Sequence, residues 1–321
     1  MAHTSLPGTE GNERTRRTRS ARRVTIPPRQ TRRQDRSERL IGIALVTPLV
    51  LIMVLIIAYP LVNTVWLSLQ NQAVIATPSS FVGFDTYQDV FVDGAMWQAL
   101  GKSGIWLVGN LVVQTVLAFA TALLLTPAGR WSRSARTWVS LPWVIPTVAV
   151  AVIWQWMTNS NYGIITKLFG LVGLENVQFF ADDTWALPML IVMNSWHWFP
   201  LGAVIIYGAL QTVPVDVYEA ARVDGASSWN TFWHITVPLL QPVLFALGLV
   251  GSLWSFNIID SIYLVTRGGP AGASTTAPVL IYDTAFKAFH ASDAAAMSVA
   301  TVVLLGILTW IYIRLAKPEE A

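Results

Sequence analysis

The chain has 321 residues, of which 54% are hydrophobic and only 12% charged, with a mean hydropathy of +0.51. About a quarter of an ordinary soluble domain is charged, so this balance excludes a water-soluble fold for most of the length. The absence of cysteine excludes disulfides, iron–sulfur clusters and cysteine nucleophiles, and the net charge of +3 conceals a strong asymmetry along the chain.

Eleven arginines, Arg14 to Arg39, crowd the first 39 residues. This composition reads as a disordered tail, residues 1–39, that sets topology and touches anionic lipid rather than nucleic acid. Spanning the hydrocarbon core takes roughly 20 apolar residues in a helix. Six segments qualify: Leu40–Leu61, Leu100–Leu125, Trp138–Met157, Trp185–Leu210, Leu240–Val265 and Ala295–Leu315. The chain therefore reads as an all-α membrane protein with a six-helix domain, 40–317, and a short end, 318–321. The first span is too long for a signal peptide, and Ala58-Tyr59-Pro60 is a poor cleavage site, so it reads as an uncleaved anchor. Pro48, Pro146 and Pro200 fall inside spans, which membrane helices tolerate when neighbours satisfy the freed backbone groups.

Lys and Arg in short flanking segments report orientation. Seventeen of the 21 fall on one side: the tail, Arg130, Arg133 and Arg136, Arg222, Arg314 and Lys317. Lys102, Lys167, Arg267 and Lys287 fall on the other. Both termini and the segment 211–239 are expected in the cytoplasm.

Catalytic chemistry is not legible. Gly101-Lys102-Ser103 mimics part of a phosphate loop, but Met96 stands where a glycine is needed and no strand precedes it. The histidines His3, His197, His234 and His290 are too scattered for a metal site. The expectation is a non-enzyme with no catalytic residue, no metal and no cofactor of its own.

The segment between the fourth and fifth spans reads Pro214-Val-Asp-Val-Tyr-Glu-Ala-Ala-Arg-Val-Asp-Gly225. Asp216 followed by Glu219 has the spacing of a capping box, and Gly225 suits a left-handed helix end. A helix of about eight residues is too short to persist alone in water, so it must dock on something. Glu219-Ala220-Ala221, Gly225, Ile235 and Val237-Pro238 together resemble the EAA loop of binding-protein-dependent ABC importers, with Val237 where leucine is usual. Phe81-Val-Gly-Phe-Asp-Thr-Tyr87, Leu141-Pro-Trp-Val-Ile-Pro146, Tyr162-Gly163 and the run Asp260 to Pro270 resemble the MalF-like sugar-permease branch of that family. The resemblance implies a type I (MetI-like) permease fold in a bacterial inner membrane. It also implies a second homologous permease, two copies of an ATPase that carries the ATP and Mg, an extracytoplasmic solute-binding protein and a sugar cargo. Glu219, Ala220, Ala221, Asp224 and Gly225 would then contact the ATPase.

Polar residues deep in a span tend to face the bundle interior. Asn194, His197, Trp198 and Leu201 fall at i, i+3, i+4, i+7, and Gly251, Trp254, Ser255 and Ile258 repeat the spacing. Two such faces, each with a tryptophan and hydrogen-bonding groups, suit a sugar pathway, and the resemblance places the substrate on the same two helices. The same residues also suit ordinary helix packing. Neither span contains Lys or Arg, which favours a neutral sugar or polyol. Asp260 reads as a cap or loop anchor. A facilitator or ion-coupled transporter is the main alternative, although no mid-membrane carboxylate supports it. An intramembrane hydrolase using Ser255 and His197 is a weaker one.

Overall fold

The computed structural model describes residues 32–72, 79–126, 130–174 and 177–315. Most of the Arg-rich tail, Lys317 and the end 318–321 lie outside those residues, as do the side chains of Arg130 and Arg133. The chain divides into two units, 1–58 and 59–321. In the first, α1 (Arg32–Met53) runs into a π-helical turn, Val54–Ala58. α1 begins at Arg32, ahead of the boundary expected at Leu40, because Arg, Gln and Glu are good helix formers and let the helix propagate outward from the apolar run. None of residues 39–57 is buried, and such a bare apolar helix suits hydrocarbon, not water.

The second unit opens with α2 (Tyr59–Leu67) and a small antiparallel ribbon, β1 (Gln70–Asn71) with β2 (Ser80–Phe81), Gln70 opposite Phe81. α3 (Asp85–Val92) follows, carrying the second half of the Phe81–Tyr87 motif. That motif is structural: Thr86 Oγ1 donates to the Gln70 carbonyl at 3.2 Å, and Tyr87 Oη shares a 2.7 Å hydrogen bond with Ser68. α4 (Ala95–Leu125) is the second span, α5 (Arg130–Val144) and α6 (Thr147–Met157) form the third, and α7 (Ile164–Gly170) leads toward α8 (Ala186–Leu210), the fourth. Then come α9 (Val215–Val223), α10 (Ser228–Thr231), a π-helical turn at Phe232–Thr236 and α11 (Val237–Leu239). The fifth span is α12 (Gln241–Asn257) with α13 (Asp260–Val265); α14 (Ala277–Phe286) lies outside it, and α15 (Ala291–Leu315) is the sixth.

The third span, expected over Trp138–Met157 with Pro146 inside it, is sharply bent. Ser134–Val144 and Thr147–Met157 meet at 96°. Pro146 lacks an N–H and disfavours helical geometry at Ile145, so the helix stops there. The Ile145 carbonyl thus loses its helical partner and meets His197 Nε2 at 3.0 Å instead. A carbonyl only accepts, so the Nε2 nitrogen carries the proton.

α4 packs most extensively along α8, and small residues set the approach: a Cβ on Gly202 would stand 3.2 Å from Ala118 Cβ. One apolar cluster, with Ala118, Ala122, Ala203, Ile206 and Leu210, fills the α9 end of this pair. Another, with Trp106, Val150, Trp154, Phe179, Leu190 and Ile262, fills the opposite end. Between them lies a polar node. Asn110 Nδ2 donates to the Trp106 carbonyl at 2.9 Å, which turns Asn110 Oδ1 outward as an acceptor. That oxygen receives Asn194 Nδ2 at 2.7 Å, Gln114 Nε2 at 3.1 Å and Ser195 Oγ at 3.3 Å. Asn194 Oδ1 accepts from Ser261 Oγ at 3.0 Å, and Trp106 Nε1 donates to the Ser255 carbonyl at 2.8 Å. The node therefore ties α4, α8, α12 and α13 together.

The Thr266–Ala277 turn is held by short side-chain bonds. Ser274 Oγ donates to the Gly269 carbonyl at 2.6 Å and Thr275 Oγ1 to the Gly268 carbonyl at 2.9 Å. Lys102 Nζ donates to the Gly272 carbonyl at 2.6 Å, and Ser103 Oγ accepts from the Ala277 amide at 2.8 Å. The tripeptide that mimics a phosphate loop is thus a clamp on this turn. Outside the spans, a 2.8 Å hydrogen bond to Asp283 holds the Lys287 ammonium above the ordinary lysine range, with the Tyr263 ring beneath it.

Two stability outcomes follow. Asn110→Ala leaves three donors without their acceptor, and is expected to cost about 1–3 kcal/mol; Ser195→Ala should cost nearer ~0.6 kcal/mol. Apparent melting temperatures in mild detergent rank the two, and equal values would mean the node carries no special weight. Gly163 sits between α6 and α7, where an added Cβ would lie 2.5 Å from the Met157 carbonyl and 2.6 Å from Asn159 backbone atoms. Backbone cannot step aside cheaply, so Gly163→Ala is expected to lose about 1–3 kcal/mol in the same assay.

Candidate functional site

Six of the eight residues expected to line a pathway surround one cavity of about 590 Å³: Trp198, Leu201, Gly251, Trp254, Ser255 and Ile258. α8 and α12 supply two walls. The Trp198 and Trp254 rings lie 5.5 Å apart at 60°, forming an apolar, electron-rich corner. Gly251 leaves room beside it, since a Cβ there would touch nothing. Tyr312 of α15 lies at one edge, its hydroxyl donating to the Phe245 carbonyl at 3.1 Å and its ring stacked on Phe245 at 4.7 Å. Gly248 permits this fit, because a Cβ at that position would come within 2.5 Å of the Tyr312 oxygen.

Asn194 and His197 do not line the cavity. Asn194 is fully buried, and its amide is spent on Asn110 and Ser261. His197 is 3% exposed, braces the break at Ile145, and leaves Nδ1 without a partner among the described residues. It forms no hydrogen bond to Ser255, so the pair that a hydrolase would need is not assembled. Among the described residues no three His, Asp or Glu side chains converge as metal ligands.

The third wall, from α4, escaped the sequence reading. Leu111, Gln114, Thr115 and Ala118 line the cavity. Their spacing is again i, i+3, i+4, i+7, with two polar residues in an apolar span, so the signal was present. None of the residues lining the cavity is Lys, Arg, Asp or Glu.

The segment between α8 and α12 has its own geometry. α9 is capped at its start by Pro214 in an extended conformation, with no side-chain cap bond, so Asp216 lies in the first turn and the capping-box reading does not hold. Proline already fixes the entry, and the Asp216 carboxylate acts only through its charge near the helix N-terminus. Gly225 does close the helix, at φ +76. The Ala226 amide donates to Ala221 at 2.9 Å and the Gly225 amide to Arg222 at 3.1 Å, the paired bonds of a Schellman end. Glu219, Ala220, Asp224 and Gly225 are exposed, whereas Ala221 is buried against the bundle. Tyr218 Oη, 3.4 Å from Thr236 Oγ1, ties α9 back to the π-helical turn. Asp260 opens α13 exposed to solvent, and no side-chain bond caps that helix, so the cap expected there is not formed.

The family described as "Binding-protein-dependent transport system inner membrane component" matches residues 114–317. The chain is 28% identical over 283 residues to the trehalose/maltose transport system permease protein of Thermococcus litoralis, covering 87% of this chain and 95% of that protein. It is 26% identical over 294 residues to the sulfoquinovosyl glycerol transport system permease protein of Agrobacterium fabrum, covering 91% and 96%. Among solved structures, a bacterial ABC transporter that imports the acidic polysaccharide alginate matches in fold at TM-score 0.77 and 19% identity, over 90% of this chain and 99% of that chain. Six apolar spans, one of them bent, and this match make the chain a multi-pass membrane subunit of type I (MetI-like) fold, non-catalytic in itself, and it belongs to the family of binding-protein-dependent transport system inner membrane components.

Proposed function

We propose that the chain is one of two homologous permeases of an ATP-driven carbohydrate importer, and that a neutral sugar crosses through the cavity between α4, α8 and α12. The cavity carries this reading: two tryptophan rings for the C–H faces of a sugar, uncharged polar side chains for its hydroxyls, and no charged lining residue. The two curated relatives are named for trehalose, maltose and a sulfoquinovosyl glycoside, which supports carbohydrate as the cargo class. Asn194 and His197 would then support the pathway from behind rather than touch cargo.

In this reading the energy comes from elsewhere. ATP and Mg bind to two copies of a separate ATPase, and a solute-binding protein delivers the sugar from outside. The cation distribution supports a cytoplasmic position for both termini and α9. There the exposed face Glu219, Ala220, Asp224 and Gly225 would seat in the ATPase, with Ala221 supporting it from the bundle side. A nine-residue helix anchored at Ala221 and Tyr218 can transmit a push, which a free peptide of that length cannot.

Three outcomes test this. Purification from the native host in mild detergent is expected to bring down an ATPase and a second permease; isolation of the intact chain alone would overturn the importer reading. Glu219→Lys should leave membrane insertion unchanged and reduce uptake by at least about tenfold, since it reverses a charge at the contact. Trp254→Ala should raise the KM for uptake by about tenfold with normal assembly; an unchanged KM would return the tryptophans to helix packing.

A further inference from the structure

The α4 wall contributes Gln114, whose environment differs from that of the other polar groups in the cavity. Its Nε2 donates once, to Asn110 Oδ1 at 3.1 Å. That bond can run in only one direction. Asn110 Oδ1 already accepts from Asn194 and Ser195, while Asn110 Nδ2 is committed to the Trp106 carbonyl. Reversing the Asn110 amide would set its oxygen against the Trp106 carbonyl, two acceptors with no proton between them. Gln114 must therefore present its nitrogen to the node. The second N–H and Oε1 form no hydrogen bond among the described residues, and Oε1 is not among the buried unpartnered atoms, so it is accessible. Gln114 itself lines the cavity.

The other polar groups there are less well placed. The Tyr312 hydroxyl is spent on the Phe245 carbonyl. Ser255 is 5% exposed, and Thr115 hangs from a single rotor with no partner among the described residues to orient it.

We propose that Gln114 is a specificity-determining residue of the pathway: its carboxamide, oriented by Asn110, offers one donor and one acceptor to two neighbouring hydroxyls of the sugar in transit. Of the amide's hydrogen-bonding groups, two remain for cargo, in fixed orientation, and a fixed pair discriminates better than a freely rotating hydroxyl. The ligand class follows from the chemistry. A vicinal diol can accept from the N–H and donate to the oxygen at once, whereas an apolar or monohydroxylated molecule leaves one of them unpaired. The inference rests on the proposed passage of a neutral sugar through this cavity.

The test uses cells that express the full importer, with uptake of radiolabelled trehalose and maltose as the readout. Gln114→Met keeps the length of the side chain and removes both groups. It is expected to raise KM by about ten- to a hundredfold while Vmax stays within about twofold. Gln114→Asn, which keeps the amide but withdraws it by one methylene, should fall between the two and covers the case in which Gln114→Met fails to assemble. Monodeoxy derivatives of the transported sugar complete a double-mutant cycle. At least one should show the same KM with Gln114 and with Met, because the hydroxyl that Gln114 binds is already gone. A KM unaffected by Gln114→Met, or raised equally for the parent sugar and every derivative, would overturn this assignment alone. If the wild-type importer takes up neither sugar, a panel of radiolabelled neutral mono- and disaccharides replaces them, and uptake of none of that panel would overturn the carbohydrate reading, and this proposal with it.

Discussion

Within hydrocarbon a polar group cannot fall back on water, so every buried amide must find a protein partner or remain costly. In this chain that constraint converges on the Asn110 side-chain oxygen, which takes donors from both sides of the α4–α8 contact. Without it, the Asn194 and Gln114 amide N–H groups and the Ser195 hydroxyl would each lose a partner at the α4–α8 contact. With it, they become the reason the helices hold one register. Apolar contact alone sets register weakly in a membrane, since lipid tails compete equally well for leucine and valine. The node also separates two functions along α4: it buries Asn194 in structure and leaves half of Gln114 free toward the cavity.

The same accounting explains the bend in the third span. Proline at 146 releases the Ile145 carbonyl, and His197 from α8 meets it. A break that would be a defect in an isolated helix becomes a fixed corner once a neighbour supplies the donor. The Thr266–Ala277 turn follows the same logic. Its left-handed glycines leave carbonyls exposed, and Lys102, Ser274 and Thr275 collect them. In both places side chains satisfy the irregular backbone: His197 and Lys102 come from other elements, and Ser274 and Thr275 from the turn itself.

The segment between α8 and α12 departs from this pattern. α9 is tied to the bundle by one buried alanine, a half-buried Val217 and a tyrosine hydroxyl, and the exposed remainder is left to solvent or a partner. A helix so short gains little by itself, so its Schellman end at Gly225 and its proline entry matter more than they would in a long helix. Both devices hold the outward residues in one arrangement before any partner arrives, which reduces the ordering cost of docking in the proposed assembly.

The sequence by itself determined the membrane class, the number of apolar spans, the glycine end of α9 and the family. These follow from local composition and spacing, which survive in any packing. It also brought six of the eight pathway residues to one cavity, because i, i+3, i+4, i+7 spacing on α8 and α12 defines a face wherever the helices go. What spacing cannot say is what a face meets. Asn194 and His197 share a face with Trp198, yet they turn into α4 and the Ile145 break, and only the tertiary structure decides that. The α4 wall carries the same spacing at Leu111, Gln114, Thr115 and Ala118, but its importance depends on the partner helices. The 96° bend at Pro146 is likewise a tertiary decision, since proline only removes a hydrogen bond. Whether the helix then kinks slightly or turns a corner depends on which neighbour donates to the exposed Ile145 carbonyl, and here that neighbour is His197, 52 residues away along the chain.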